Sequence, residues 1–201
     1  NSNASKGLMF PEVDSFGNPL DLDYATTRQR WEPLIEMMQI KANSEVHRSF
    51  WEADEFADFE NGNSIQKNSN RYFSKRNFVR EGLKLGLSYE QKLGVNPFQL
   101  GFIGGTDNHN GLTSDVSKTD FIGGHGPEDG TPDRRRTAGV GGWIDGVDLS
   151  TGSLAGVWAT ENTRAAIWDA MKARETFATS GPRIKVRMFG GDQIETPVDP
   201  V

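Results

Sequence analysis

The sequence predicts an α/β fold with a largely parallel sheet, open or closed into a barrel, and three observations carry that prediction. Short apolar runs, at residues 34 to 40 and 98 to 103, are separated by stretches of helical periodicity. Turn signals bound those runs, among them the pair Gly104 and Gly105. An apolar share of 35% in 201 residues is enough for one buried core. Strands that alternate with helices are joined by crossovers and therefore pair in parallel.

The elements follow in order. "DYATTRQRW" reads as a short helix with Asp23 as N-cap, broken at Pro33. "LIEMMQI", residues 34 to 40, reads as a buried strand carrying one charge, Glu36. From Phe78 to Leu87 an apolar stripe marks a helix, with Ser74 as a candidate cap and Gly94 and Pro97 as stop signals. "FQLGFIGG" is the next strand. Residues 113 to 152 hold nine glycines and show neither helical nor strand periodicity, so they read as one long loop. Residues 160 to 173 form a further helix, capped by Thr160, with Ile167, Trp168 and Met171 facing inward. "RETFATSGPRI" ends a short strand near Thr179, and "RIKVRMF" alternates as a half-exposed strand does.

Composition excludes several classes. The net charge of -6 argues against a general nucleic-acid binder, and no patch for one is evident. The absence of cysteine removes disulfides, zinc ribbons and thiol catalysis. No apolar run of about 18 residues and no signal peptide occur, so the chain reads as soluble, in cytoplasm or periplasm. Asn1 to Ala4 read like a cloning remnant, and residues 192 to 201 like a tail or the start of a truncated segment.

In parallel folds the chemistry sits at the carboxyl ends of the strands. Asp107 and His109 follow the 98 to 103 strand directly, and their i, i+2 spacing can aim both at one point. Glu36 lies within an apolar strand, where a lone carboxylate is costly unless paired or bound to a cation, and Glu45 comes just past a strand end. Together these are ligand types that suit Mn, Fe or Zn in hydrolytic sites.

"GFIGGTDNHN", "EMMQIKANSE" and "WATENTRAAIWDAMKARETFATSGPRI" resemble the bacterial DUF3604 family, related to the polymerase and histidinol phosphatase (PHP) superfamily of metal-dependent phosphoesterases. The resemblance spans about Asp23 to Gly191. It implies the C-terminal portion of a distorted (β/α)7 barrel, residues 5 to 191, cut at both ends, with two or three divalent ions in the whole protein. It also implies that Asp107 and His109 are a metal pair and that a glutamate bridges ions. Glu36 and Glu45 are both candidates for that glutamate, and Glu45 is favoured because its spacing places it past the strand end.

The superfamily's early His-x-His is not present, since the only histidines are His47, His109 and His125. Weak metal retention and little activity are expected of this chain alone. His47 is a further candidate ligand or a solvated helix-start residue. His125, with Arg134 and Arg135, belongs either to a lid over the site or to a solvated insertion. Lys41, Thr179, Ser180 and Arg183 complete the candidate contacts to an anionic substrate, a phosphate ester. Thr179 and Ser180 read equally well as an ordinary tight turn.

The expected function is a hydrolase in which metal-bound water attacks phosphorus, with an amide or ester hydrolase, or a non-catalytic binding or assembly domain, as alternatives.

Overall fold

The computed structural model describes residues 1–69, 72–112, 116–117, 119, 121–188 and 190. It is a mixed α/β structure whose strands form small two-stranded sheets, with no closed barrel among the described residues.

The centre is a parallel pair, β1 (Leu34–Glu36) on β4 (Gly101–Ile103), in the register Leu34 to Gly101 through Glu36 to Ile103. The crossover between them carries α3 (Val79–Leu93), which ends at Gly94 in the left-handed conformation at φ 76°. Phe78, not Ser74, is its N-cap; Ser74 instead precedes a single 3-10 turn, Lys75–Asn77. α3 covers the pair with Val79 and Leu83, which join Ile35, Phe98 and Phe10 in the main core. Phe10 and Phe98 meet edge to face at 5.4 Å, and Gly82 leaves room for the Phe10 ring, which a Cβ there would approach to 2.4 Å.

α1 (Leu22–Trp31) is capped by Asp21, two residues before the expected Asp23, through a 2.9 Å bond from the Tyr24 amide. The strand expected over 34 to 40 breaks after Glu36. Met38–Gln39 (β2) turns back on Ala42–Asn43 (β3) as a hairpin whose loop is only Ile40 and Lys41. Ala42 closes this turn at φ 80°, a conformation costly for a residue with a Cβ.

The glycine-rich stretch is more structured than its periodicity suggests. It holds α4 (Pro132–Thr137), with Thr131 as N-cap and Pro132 at the first turn, and the hairpin of β5 (Gly139–Val140) with β6 (Ile144–Asp145). Val140 and Ile144 form a second core with Ala4 and Ile65, the latter from α2 (Ser64–Ser69). Ser2, Asn3 and Ala4 are all buried, and the Asn3 side chain donates to the Lys41 carbonyl at 2.9 Å.

β7 (Ala155–Val157) pairs antiparallel with β8 (Thr176–Ala178), and β8 lies beside β4. α5 (Arg164–Lys172) joins them, capped by Thr163, so the expected cap Thr160 lies one turn outside the helix. Trp168 does not face inward: it is 61% exposed, and Ala170 is the buried position of α5. Residues 183 to 188 form no strand, and Phe189 lies outside the described residues, as do 113 to 115, 118, 120 and 191 to 201.

Candidate functional site

The exit of β4 is where the chain turns toward its polar cluster. At Gly104 a Cβ would lie 1.8 Å from the Ser153 hydroxyl oxygen, so only glycine fits. The next residues continue past β4 along the β2–β3 hairpin, with the Gly105 amide on the Met38 carbonyl at 3.2 Å and the Ile40 amide on the Thr106 carbonyl at 3.1 Å. Asp107 then takes the left-handed conformation, φ 53°, which Asp tolerates better than most residues.

The Asp107 carboxylate meets two side chains from the hairpin on one oxygen. Gln39 Nε2 donates to Oδ2 at 2.7 Å, and the Lys41 ammonium makes an ion pair with the same oxygen. The Lys41 side chain is 9% exposed and that of Asp107 37%. The other oxygen, Oδ1, faces His109 Nε2 at 3.9 Å, beyond hydrogen-bond range.

A second segment packs on His109. Its amide donates to the Gly124 carbonyl at 2.6 Å, and Asn110 Nδ2 reaches the Gly123 carbonyl at 2.5 Å. The loop is held by Asp129, fully buried, whose carboxylate accepts the amides of Gly124 and His125, each at 2.7 Å. His125 is thereby stacked on His109, with ring centroids 4.4 Å apart and planes 17° from parallel. Burial pulls the His125 imidazole below its ordinary value, and His109 and Lys41 act in the same direction against Asp129 and Glu128. Two buried atoms here have no hydrogen-bond partner among the described residues, His125 Nδ1 and Asn108 Oδ1.

The remaining candidates divide among other places. Glu36, the last residue of β1, is 31% exposed in its side chain; its Oε1 runs beside Gly105, and its Oε2 lies 3.3 Å from the first nitrogen of the chain. Glu45 is held by Arg80 at 2.7 Å, and the same guanidinium binds Asp54 at 2.5 Å.

His47 sits among aromatic rings, 4.8 Å from Phe73 and 5.7 Å from Phe78, and its burial lowers its pKa against the opposing pull of Asn63, Asp58 and Asp148. Arg134 donates to the Pro127 carbonyl, and Arg135 to the Asp129 carbonyl at 3.1 Å while lying over Phe121. Both thus tie their own loop together. The Thr179 hydroxyl accepts from the Leu154 amide at 3.1 Å and donates to the Gly181 carbonyl at 3.2 Å, as a turn residue does. Ser180 and Arg183 are exposed.

Thr179, Ser180 and Glu45 rim a separate cavity of about 600 Å³ walled by Met37, Met38, Phe102, Trp158 and Phe177. The hairpin sorts its side chains between the two places: Met38 and Asn43 line the cavity, while Gln39 and Lys41 reach Asp107.

Asp107, His109, Lys41 and His125 are thus brought together, whereas Glu45, His47, Thr179, Ser180, Arg134, Arg135 and Arg183 are engaged or placed elsewhere. Gln39 and Asp129 escape a reading of the sequence. Gln39 is two residues from Lys41 in a hairpin that no Asn-Gly or Gly turn signal announces, and Asp129 acts only on the backbone of its own loop.

Fold and site define a mixed α/β protein with an Asp–Lys–His cluster at the exit of a parallel strand. The chain belongs to the family described as a protein of unknown function, DUF3604, which matches residues 1–198. No curated protein and no solved structure matches it. Among the described residues no helix is long and apolar enough to cross a membrane.

Proposed function

We propose that this chain carries part of the site of a divalent-metal-dependent hydrolase, a phosphoesterase of the PHP type acting on a small anionic phosphate ester. The observation that supports this reading most directly is the 3.9 Å gap between Asp107 Oδ1 and His109 Nε2. It is too long for a hydrogen bond, yet an ion about 2.0–2.2 Å from each donor spans it. The opposite oxygen is pinned by Gln39 and Lys41, the outer support that orients a ligating carboxylate.

Among the described residues no three His, Asp or Glu side chains form a group able to hold an ion by themselves. Asp107 and His109 fit Mn, Fe or Zn in kind, as members of a larger set. Glu36 is the better placed carboxylate to join them, since β1 and β4 end side by side and Glu45 is occupied by Arg80. A bound ion would supply Lewis-acid polarisation and an acidified water. The chain's own contribution is to fix the donors. Gln39 and Lys41 hold one carboxylate rotamer, and Lys41 in this role neutralises Asp107 instead of meeting substrate.

The test is a titration of the chain with Mn²⁺ or Zn²⁺ by calorimetry. His109→Ala and Asp107→Asn should each weaken affinity by about tenfold or more, since losing even an outer-shell partner of a ligand costs that much. Hydrolysis of p-nitrophenyl phosphate should fall with them wherever it is measurable. Unchanged affinity in both variants would refute the reading.

A further inference from the structure

The three histidines of the chain are far apart in sequence, yet two of them are stacked. Nothing in a solvated insertion requires this. The loop reaches this stretch through two backbone carbonyls, Gly124 accepting from the His109 amide and Gly123 from the Asn110 side chain, and its own course is set by a fully buried carboxylate, Asp129. The result is a second imidazole whose buried Nδ1 has no partner among the described residues; the side-chain carbonyl oxygen of Asn108, the neighbour of His109 in sequence, is in the same state. Buried polar atoms are ordinarily hydrogen-bonded, so an imidazole nitrogen left unpaired in a ring stacked on His109 points to a missing ligand.

Resting on the metal reading of Asp107 and His109, we infer that His125 is a ligand of a second divalent ion, with Nδ1 as its donor and Asp129 as the residue that positions it. An ion bonds in the plane of an imidazole ring, so two near-parallel rings cannot both direct lone pairs at one ion. They can serve two ions about one ring spacing apart. The 4.4 Å between the ring centroids is close to the separation of about 3.5–4 Å found in two-metal hydrolytic sites. The glycine-rich segment is in this view a part of the site, bringing nitrogen to it from outside the strand exits.

With only three histidines, the imidazole nitrogens can be followed one by one by proton–nitrogen correlation NMR as Zn²⁺ is added. The His109 and His125 nitrogens should both shift, while those of His47, enclosed by Phe73 and Phe78, should not. His125→Ala should lower bound Zn²⁺ from about two equivalents to one. Asp129→Ala should weaken the His125 response and leave that of His109. A shift at His109 with His125 unmoved would overturn the inference and leave the metal reading standing. No shift at either would overturn both.

Discussion

Replacing Asp107 tests the cluster through folding as well as through chemistry. Asp107→Ala removes the ion-pair partner of Lys41, whose side chain is only 9% exposed, and strands its ammonium among Gln39 and the hairpin backbone. Breaking a buried pair from one side costs about 3–5 kcal/mol. The lower end applies here, about 3 kcal/mol, because Asp107 is 37% exposed and its removal admits water to the amine. For a chain of this size the loss corresponds to a fall of about 6–12 °C in melting temperature.

Lys41→Met should cost less, about 1 kcal/mol, since Asp107 keeps the 2.7 Å bond from Gln39 and meets solvent. The double variant removes both charges and should be within about 1 kcal/mol of the unaltered protein. Urea unfolding of all four proteins measures the cycle. A double variant no more stable than Asp107→Ala would refute the account of Lys41 as a buried cation held by this carboxylate. It would also mean that metal loss in Asp107 variants cannot be separated from misfolding, for which Lys41→Met/Asp107→Ala is the control.

Three other outcomes are expected. Gly82→Ala should destabilise the protein by about 1–2 kcal/mol, read as a lower urea midpoint, although alanine favours helix, because the new methyl meets the buried Phe10 ring at 2.4 Å; a raised midpoint would show that the ring yields. Burial lowers the folded-state pKa of His47, so the unfolded chain takes up that proton first as pH falls. The stability His47 contributes is therefore complete above the free imidazole value of about 6.5 and is lost as pH falls below it toward the folded value, and His47→Phe should flatten stability curves over that interval. Glu45→Gln should change stability by less than about 1 kcal/mol, because Glu45 is 45% exposed and Arg80 retains Asp54; a larger loss by thermal melting would give Glu45 a structural weight its exposure denies.

The parallel pair, α3 with its glycine stop and the aspartate-histidine exit of β4 are all legible in the sequence, because each has a local cause: apolar runs, a helical stripe, and Gly104 and Gly105 at a turn. Element edges are less so, since Asp21 and Asp23, or Thr160 and Thr163, offer equivalent capping oxygens two or three residues apart. The signal for α4 is present in Thr131 followed by Pro132, a cap and a first-turn proline, but six residues are too few to show a period. The hairpin at Ala42 is not legible, because it depends on a left-handed alanine that tertiary packing imposes. Nor is the pairing of Lys41 with Asp107 or of His125 with His109. Those contacts are made by how segments dock, and neither residue spacing nor composition encodes that.

The cluster also has a place in time. Gln39 and Asp107 are 68 residues apart in the chain, and Ser150 donates to the Gln39 carbonyl across 111. Contacts of such separation form only after long loops have closed, which makes folding slow and puts these among its later events. A chain still emerging from synthesis therefore has Lys41 free in water until Asp107 has docked on the hairpin. The arrangement of Gln39, Lys41 and Asp107 therefore arises together with the finished fold, and incompletely folded chains lack it.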